Sequence, residues 1–203
     1  MSLQVPKGTF DILPVGSKEP AFQSHLWQYI ENIIDTITKE YNYQEIRTPI
    51  YEHSELFCRG VGETSDIVTK EMFTFLDRKG RSITLRPEGT ASVIRSYLEH
   101  QLYNVQKTLK LFYTGPMFRY ERPQSGRYRQ HHQFGIEAIG ITAPEQDAEV
   151  IDLLLQFYKR LKIQNLSLNL NTVGDAATRT AFRAALVNYL LPFKEELSPD
   201  SQI

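Results

Sequence analysis

The chain carries one cysteine, no long apolar run and no surplus of either charge, and each absence narrows what it can be. A lone Cys58 cannot close a disulfide within the chain and fits a reducing compartment. It is expected as a small buried hydrophobe. No stretch approaches the ~18 consecutive apolar residues of a membrane span. The N-terminus also lacks the charged-then-apolar pattern of a signal peptide. A soluble, cytoplasmic protein is the expectation. Lys and Arg number 23 against 24 Asp and Glu, which excludes attachment to nucleic acid by bulk basicity but leaves room for a local basic patch. No Walker or dinucleotide-type glycine pattern occurs, so a bound nucleotide would be held another way. Repeats and low-complexity tracts are missing too.

What is present is a core-forming composition, 41% hydrophobic over 203 residues, enough for one domain or one plus part of another. Residues 1–18 are punctuated by Pro6, Gly8, Pro14 and Gly16 and read as an extended lead segment. Phe22, Leu26, Ile30, Ile33, Ile34, Ile37 and Tyr41 recur at helical spacing over 19–41. Their stripe is core packing, or alternatively a dimer surface. Tyr43 to Pro49 reads as a short strand ended by proline. Two β-prone runs, Met72–Leu76 and Ser82–Leu85, flank Asp77-Arg78-Lys79-Gly80 and predict a hairpin. A helix follows from Gly89 to His100, with Ala91, Ile94, Tyr97 and Leu98 on one side.

Residues 108–121 and 131–139 form a second β-prone pair around an arginine-bearing loop, Arg122 to Gln130. Thr142-Ala143-Pro144-Glu145 predicts a helix start with a hydroxyl cap and a glutamate three residues on, running to about Leu161. A strand at Leu166–Thr172, a helix near Ala176–Leu191 and a polar tail, Ser198-Pro199-Asp200-Ser201, complete the chain. Helices mixed with hairpins give an α+β fold, an antiparallel sheet flanked by helices, not a doubly wound parallel one.

The second hairpin carries a face that a core would not choose. Alternate strand residues share a side. Met117, Arg119 and Glu121 therefore lie together, as do Gln133, Gly135 and Glu137, while Phe118, Tyr120, Phe134, Ile136 and Ala138 point the other way. Burying such charges unpaired would cost several kcal/mol each. Either this face is wet, as antiparallel sheets often allow, or it lines a polar site in which Gly135 leaves room for a ligand. Arg122, Arg127 and Arg129 in the loop offer planar forks suited to phosphate. Fixed cations beside carboxylates suit a ligand of both charges, such as an amino acid with a polyphosphate. In Leu85-Arg86-Pro87-Glu88-Gly89-Thr90, Glu88 stands at a helix start, where the dipole favours it. It is a cap, or it offers an ammonium group a carboxylate beside the Thr90 hydroxyl, with Gly89 allowing close approach. His131 and His132 are adjacent in a strand and face opposite ways. His25, His53 and His100 are scattered, and no metal site is expected.

Phe118-Arg119-Tyr120-Glu121, a loop, then Phe134-Gly135-Ile136-Glu137 resembles motif 2 of class II aminoacyl-tRNA synthetases. With Arg86-Pro87-Glu88-Gly89-Thr90 and Gly126-Arg127-Tyr128-Arg129-Gln130-His131-His132-Gln133, it is similar to the histidyl-tRNA synthetase family in particular. The 19–49 helix and strand resemble motif 1, which builds that family's dimer, and Pro6 to Pro14 fits its lead segment. The resemblance implies ATP-dependent activation of L-histidine, with Mg2+ accompanying ATP, and transfer to tRNA(His). It implies that Arg119 is catalytic and binds ATP with Glu121 and Arg127. Glu88, Gly89, Thr90, Gln133 and Glu137 would bind histidine, and Gln124 and Arg129 would approach the tRNA acceptor end.

On this reading residues 1–203 hold motifs 1 and 2. The motif 2 hairpin spans 108–139 and a lead-in to the family's insertion spans 162–203. Motif 3 and the anticodon-binding domain are not found, so the chain is expected to be a fragment, not fully active alone. The rival is the histidine-sensing regulatory paralogue of ATP phosphoribosyltransferase, a binding module that catalyses nothing. It tends to lose the loop arginines present here.

Overall fold

A computed structural model of the chain describes residues 3–17, 19–61, 71–124, 126–171, 174–198 and 201. Met1, Ser2 and Lys18 of the lead segment, Ser125 of the arginine loop, Thr172 of the expected strand, and Pro199 and Asp200 of the tail lie outside the described residues. The chain forms two compact units, residues 1–164 and 165–203.

The first unit is built on two three-stranded sheets. In one, β1 (Gln44–Glu45) runs parallel to β5 (Leu109–Phe118), which pairs antiparallel with β6 (Gln130–Ile139). In the other, β4 (Ser82–Leu85) lies between β2 (Tyr51–His53) and β3 (Thr74–Leu76), all antiparallel. Helices α1 (Ser24–Glu40), α2 (Ser54–Val61), α3 (Thr90–Glu99), the short α4 (Leu102–Val105) and α5 (Pro144–Arg160) complete it. This is the α+β architecture expected from the alternation of helices and hairpins.

The β5–β6 ladder sets the rest. Its register pairs Leu111 with Glu137, Tyr113 with Gly135, Gly115 with Gln133 and Met117 with His131 on one face. On the other, Phe112 with Phe134 and Ile136 packs against Ile34 and Ile37 of α1 and Leu153 and Phe157 of α5. The first face is covered as well: Leu109, Leu111, Tyr113 and Met117 pack on Val93 of α3. The face expected to carry the polar groups beside Met117 is therefore mixed with core, and Met117 is fully buried on it. Its charged groups sit at the margin of a second core, which is how a two-sided hairpin can carry them without stranding them in hydrocarbon.

Several local expectations shift. In α1 the buried part of the stripe is Ile34, Ile37 and Thr38, while Ile30 is exposed. In α3 the buried side is Ser92 and Val93, and Ile94 and Leu98 face outward. That helix is turned so that its first turns cover β5. The strand expected over 43–49 shortens to β1, because the chain beyond it leaves the ladder: the Arg86 guanidinium takes the Thr48 carbonyl at 3.1 Å. Helix α5 begins one residue later than the hydroxyl cap predicted. Pro144 fixes the start at its own ring, so the N-cap is Ala143, whose methyl group makes no cap bond. Cys58 is half-buried, beside the fully buried Phe57.

The turn at 77–80 holds as read. Asp77 Oδ1 accepts from the Lys79 and Arg81 amides at 2.8 and 2.9 Å, and Gly80 takes a left-handed φ of 77°.

In the second unit, α6 (Ala176–Leu190) is capped by Asp175, which accepts from the Thr178 amide at 2.7 Å, and a 3-10 helix spans Leu191–Glu196. The strand expected at Leu166–Thr172 does not form over 166–171. Leu166, Leu168 and Leu170 alternate, but each is exposed, and alternation becomes a strand only where a partner supplies the ladder. Among the described residues no helix is long and apolar enough to cross a membrane.

Candidate functional site

The N-terminal end of α3 and the middle of β6 come together. The Thr90 hydroxyl donates to Glu137 Oε1 at 2.7 Å. Glu88, two residues before Thr90, accepts from the Thr90 amide at 2.6 Å and the Ala91 amide at 2.9 Å. Glu88 therefore caps the helix, and it stands beside the Thr90–Glu137 pair. Burial raises the Glu137 carboxyl above its ordinary range. The Thr90 hydrogen bond opposes this and the nearby Glu88 charge adds to it. A carboxylate so placed gains from any cationic or N–H donor ligand.

Gly89 and Gly135 have a different role from the one anticipated. Both meet the ring of Tyr113, and a Cβ at either would overlap it. The space over Gly135, expected to be left for a ligand, is filled by this buried side chain. The glycines let α3 and β6 close on the ring from two sides.

Arg119 follows the last ladder residue of β5. Its Nε donates to the Pro87 carbonyl at 3.0 Å, which draws it to the same segment as Glu88. Glu121 and Arg127, both expected at a nucleotide, meet each other, with Arg127 Nε 3.1 Å from Glu121 Oε2. Gln124 and Arg127 exchange backbone bonds across the loop tip at 3.2 and 2.9 Å. Arg129 is drawn inward: its Nε donates to the Glu121 carbonyl at 3.2 Å and its guanidinium lies over the Tyr120 ring. Gln133 shares the face of Glu137, but its Oε1 is buried with no hydrogen-bond partner among the described residues.

The structure thus assembles Glu88, Gly89, Thr90 and Glu137 as one cluster and Glu121 with Arg127 as a second, with Arg119 fastened beside the first. His131 and His132 face opposite sides, and His132 packs edge-on against Trp27 with ring centres 4.6 Å apart. No group of three or more His, Cys, Asp or Glu side chains among the described residues is arranged to hold a metal ion.

Sequence reasoning missed three supporting residues. Tyr113 read as ordinary strand core, yet an aromatic opposite a glycine is the pattern that would have marked it. Arg86, only 5% exposed, donates through Nε to the Pro116 carbonyl at 3.0 Å and through Nη1 to Thr48. No periodicity flags such a strut. Gly8, in the lead segment, accepts from the Arg129 and Gln130 amides at 2.8 and 3.3 Å. Its φ is 86°, and a Cβ would come within 2.8 Å of Arg129 Cγ.

A long antiparallel hairpin covered by helices, with carboxylates and arginines along one face and its loop, is the catalytic-core architecture of class II aminoacyl-tRNA synthetases. The family description "Histidyl-tRNA synthetase" matches residues 19–184, and the chain belongs to that family. It is 57% identical over its whole length to a histidine–tRNA ligase of Protochlamydia amoebophila and 53% identical to one of Shouchella clausii. It covers 48% and 46% of those proteins, so the chain spans about half the length of the curated relatives it matches. Apo histidyl-tRNA synthetase from S. aureus superposes with a TM-score of 0.73 at 44% identity, over 99% of this chain and 45% of that one. A Bacillus halodurans protein described as an ATP phosphoribosyltransferase regulatory subunit/histidyl-tRNA synthetase gives 0.63 at 28% identity, over 81% of this chain and 40% of that one.

Proposed function

We propose that this chain carries the amino-acid side of a histidine–tRNA ligase site, activating L-histidine with ATP to histidyl-adenylate and passing it to tRNA(His). The observation that carries the reading is the Thr90 hydroxyl on Glu137 at 2.7 Å, with Glu88 at the start of the same helix. Two carboxylates and a hydroxyl converge where a small ligand bearing an ammonium group and an N–H ring would be recognised. Glu88, Thr90 and Gln133 receive the α-amino group and Glu137 reads the imidazole, while Gly89 lets the start of α3 lie close against the Tyr113 ring. The buried, unpartnered Oε1 of Gln133 is an acceptor of the kind an ammonium group would satisfy.

Arg119 is the catalytic residue of this reading. With Nε fixed on Pro87, its terminal nitrogens are offered to the α-phosphate and to the attacking carboxylate oxygen. That oxygen bonds to the α-phosphorus as the bond to the β-phosphate oxygen breaks and pyrophosphate leaves. A guanidinium fixed there offsets the charge that builds on the phosphoryl oxygens. Glu121 meets the adenine amino group and Arg127 the γ-phosphate, so ATP displaces their mutual ion pair. Arg127 is largely exposed in that pair, so its loss costs little. Among the described residues no side-chain group is arranged as a resident metal site, and Mg2+ is assigned only as the companion of ATP. Gln124, exposed near the loop tip, fits an approach to the tRNA acceptor end. Arg129 serves that approach by holding the loop. A homodimer through α1 and β1 and a cytoplasmic location belong to the same reading.

Calorimetric titration of the chain with histidine tests it. Binding by the wild type and at least about tenfold weakening in Glu137→Gln are expected. Equal affinity in the two proteins would sink the assignment. The histidine-sensing alternative has the B. halodurans likeness in its favour. Against it stand the much higher identity to the ligases and the presence of Arg119, Arg127 and Arg129 together.

A further inference from the structure

The lead segment is fastened to the loop that carries Arg127. Pro6 to Thr9 make a turn in which the Thr9 amide and hydroxyl both donate to the Pro6 carbonyl, at 3.1 and 2.7 Å. Gly8 stands at its third position with a φ of 86°, a left-handed value that glycine takes without strain. Its carbonyl receives the Arg129 and Gln130 amides. Further along, the Leu13 amide donates to the Phe22 carbonyl at 2.8 Å, and the Leu13 carbonyl accepts from the Ser24 amide at 2.9 Å. The segment is therefore anchored at one end to the returning arm of the loop and at the other to the start of α1.

Phe10 lies between the two anchors. Its ring centre is 4.6 Å from that of Phe22, 6.0 Å from that of Trp27 and 4.8 Å from that of Tyr128, the last contact edge-on. Tyr128 also stands edge-on to Phe22, at 6.2 Å. On the α1 side the Trp27 indole is braced by its N–H on the Ala21 carbonyl at 2.8 Å. Tyr128 is the residue after Arg127. The chain leaving Arg127 is thus gripped twice in succession, through the Tyr128 ring and through the Arg129 amide. The Arg127 side chain is largely exposed and meets Glu121, so the reach of its guanidinium follows from where its backbone is held.

We infer that Phe10 is a positioning residue of the nucleotide site. Through Tyr128 it fixes the backbone from which Arg127 reaches the outermost phosphate of ATP. This rests on Arg127 holding the γ-phosphate. Edge-on aromatic pairs add a directional attraction beyond the area they bury. A loop held in place before the ligand arrives does not have to be ordered on binding.

The test is calorimetric titration of the full chain with ATP and, separately, with ADP, which has no γ-phosphate. Phe10→Leu removes the ring but keeps an apolar side chain. Its ATP affinity should fall about threefold to tenfold, while its ADP affinity should stay with the wild type. Phe10→Tyr keeps the ring and should restore ATP binding. On an Arg127→Gln background Phe10→Leu should add little, because the group it positions is gone. If Phe10→Leu folds poorly, Tyr128→Leu cuts the same contact from the loop side and should give the same ATP-selective loss. Unchanged ATP affinity in Phe10→Leu, equal weakening of ATP and ADP, or fully additive losses with Arg127→Gln would overturn the inference while leaving the site assignment intact. ATP affinity left whole by Arg127→Gln would instead remove Arg127 from the γ-phosphate, and the inference with it. Tryptic cleavage after Arg127 reads the contact without nucleotide. It should be faster in Phe10→Leu and return to the wild-type rate in Phe10→Tyr, and equal rates in all three proteins would overturn the positioning whatever ATP does.

Discussion

The Arg129 guanidinium lies 3.9 Å from the centre of the Tyr120 ring. Tyr120 itself stands edge-on to Phe73, ring centres 5.2 Å apart, and Arg119 N–H reaches the Arg129 carbonyl at 2.8 Å. Past the last ladder pair, the two arms of the hairpin are thus stapled by a cation on a ring and a backbone bond. The fixed position of Glu121 depends on that staple.

Arg129→Lys should therefore not be conservative. An ammonium group cannot both stack flat on Tyr120 and donate sideways to the Glu121 carbonyl. Tryptic cleavage after Arg127 should become several-fold faster in this variant. An unchanged cleavage rate would remove the staple from the account.

Arg86 makes a second prediction. Its replacement by methionine preserves length and apolar stem but leaves the Thr48 and Pro116 carbonyls without their donor. The expected loss is at least about 2 kcal/mol, measured as a fall in the urea midpoint with the slope unchanged. Gly115 opposite it has a φ of 153°, and a Cβ there would meet Arg86 Nη2 at 2.5 Å. Gly115→Ala should therefore reproduce part of the same loss.

Gly135→Ala drives a methyl group into the Tyr113 ring. The ring cannot retreat toward α3, because Gly89 is equally close on that side. Destabilisation of about 1–3 kcal/mol is expected for such overpacking, together with weakened histidine binding. A variant as stable as the wild type would show that the ring has room the packing denies it.

The pH response has a defined sign. Burial, with the Arg119 charge next, depresses the His131 imidazole below its ordinary value, Glu121 opposing and His132 adding. Between that depressed value and about 6.5 the unfolded chain takes up a proton that the folded chain refuses. Stability contributed by neutral His131 is thus present above about 6.5 and is lost as pH falls below it. Glu137, raised by burial, acts in the opposite sense near the carboxylate range. His131→Gln should flatten the fall in urea midpoint between pH 6.5 and the depressed value. If the two proteins track each other there, His131 is not the group responsible.

Much of this was legible in the residues because period and turn chemistry agree locally. Asp77 and Gly80 define the first hairpin, and alternation from Leu109 to Phe118 and from Gln130 to Ile139 defines the second. The convergence of Thr90 with Glu137 follows from the hairpin register and the helix after Pro87. What was not legible depended on partners distant in the chain. Leu166 to Leu170 alternate like a strand, yet among the described residues no strand pairs with them. Ile94 looked like core and Val93 did not, since the rotation of α3 is set by β5 rather than by its own stripe. That Tyr113 would occupy the space above Gly135 became readable only once the register paired the two, and the buried charge of Arg86 has no periodic signature.

The contact of Gly8 with Arg129 and Gln130 also bears on the order in which the molecule is made. The lead segment emerges first, but the strand whose amides it accepts is built more than a hundred residues later. During synthesis it has nothing to dock on until the hairpin has formed, so its closure is among the last long-range events of folding. Arg129 and Gln130 are therefore held from outside only once the hairpin behind them is complete.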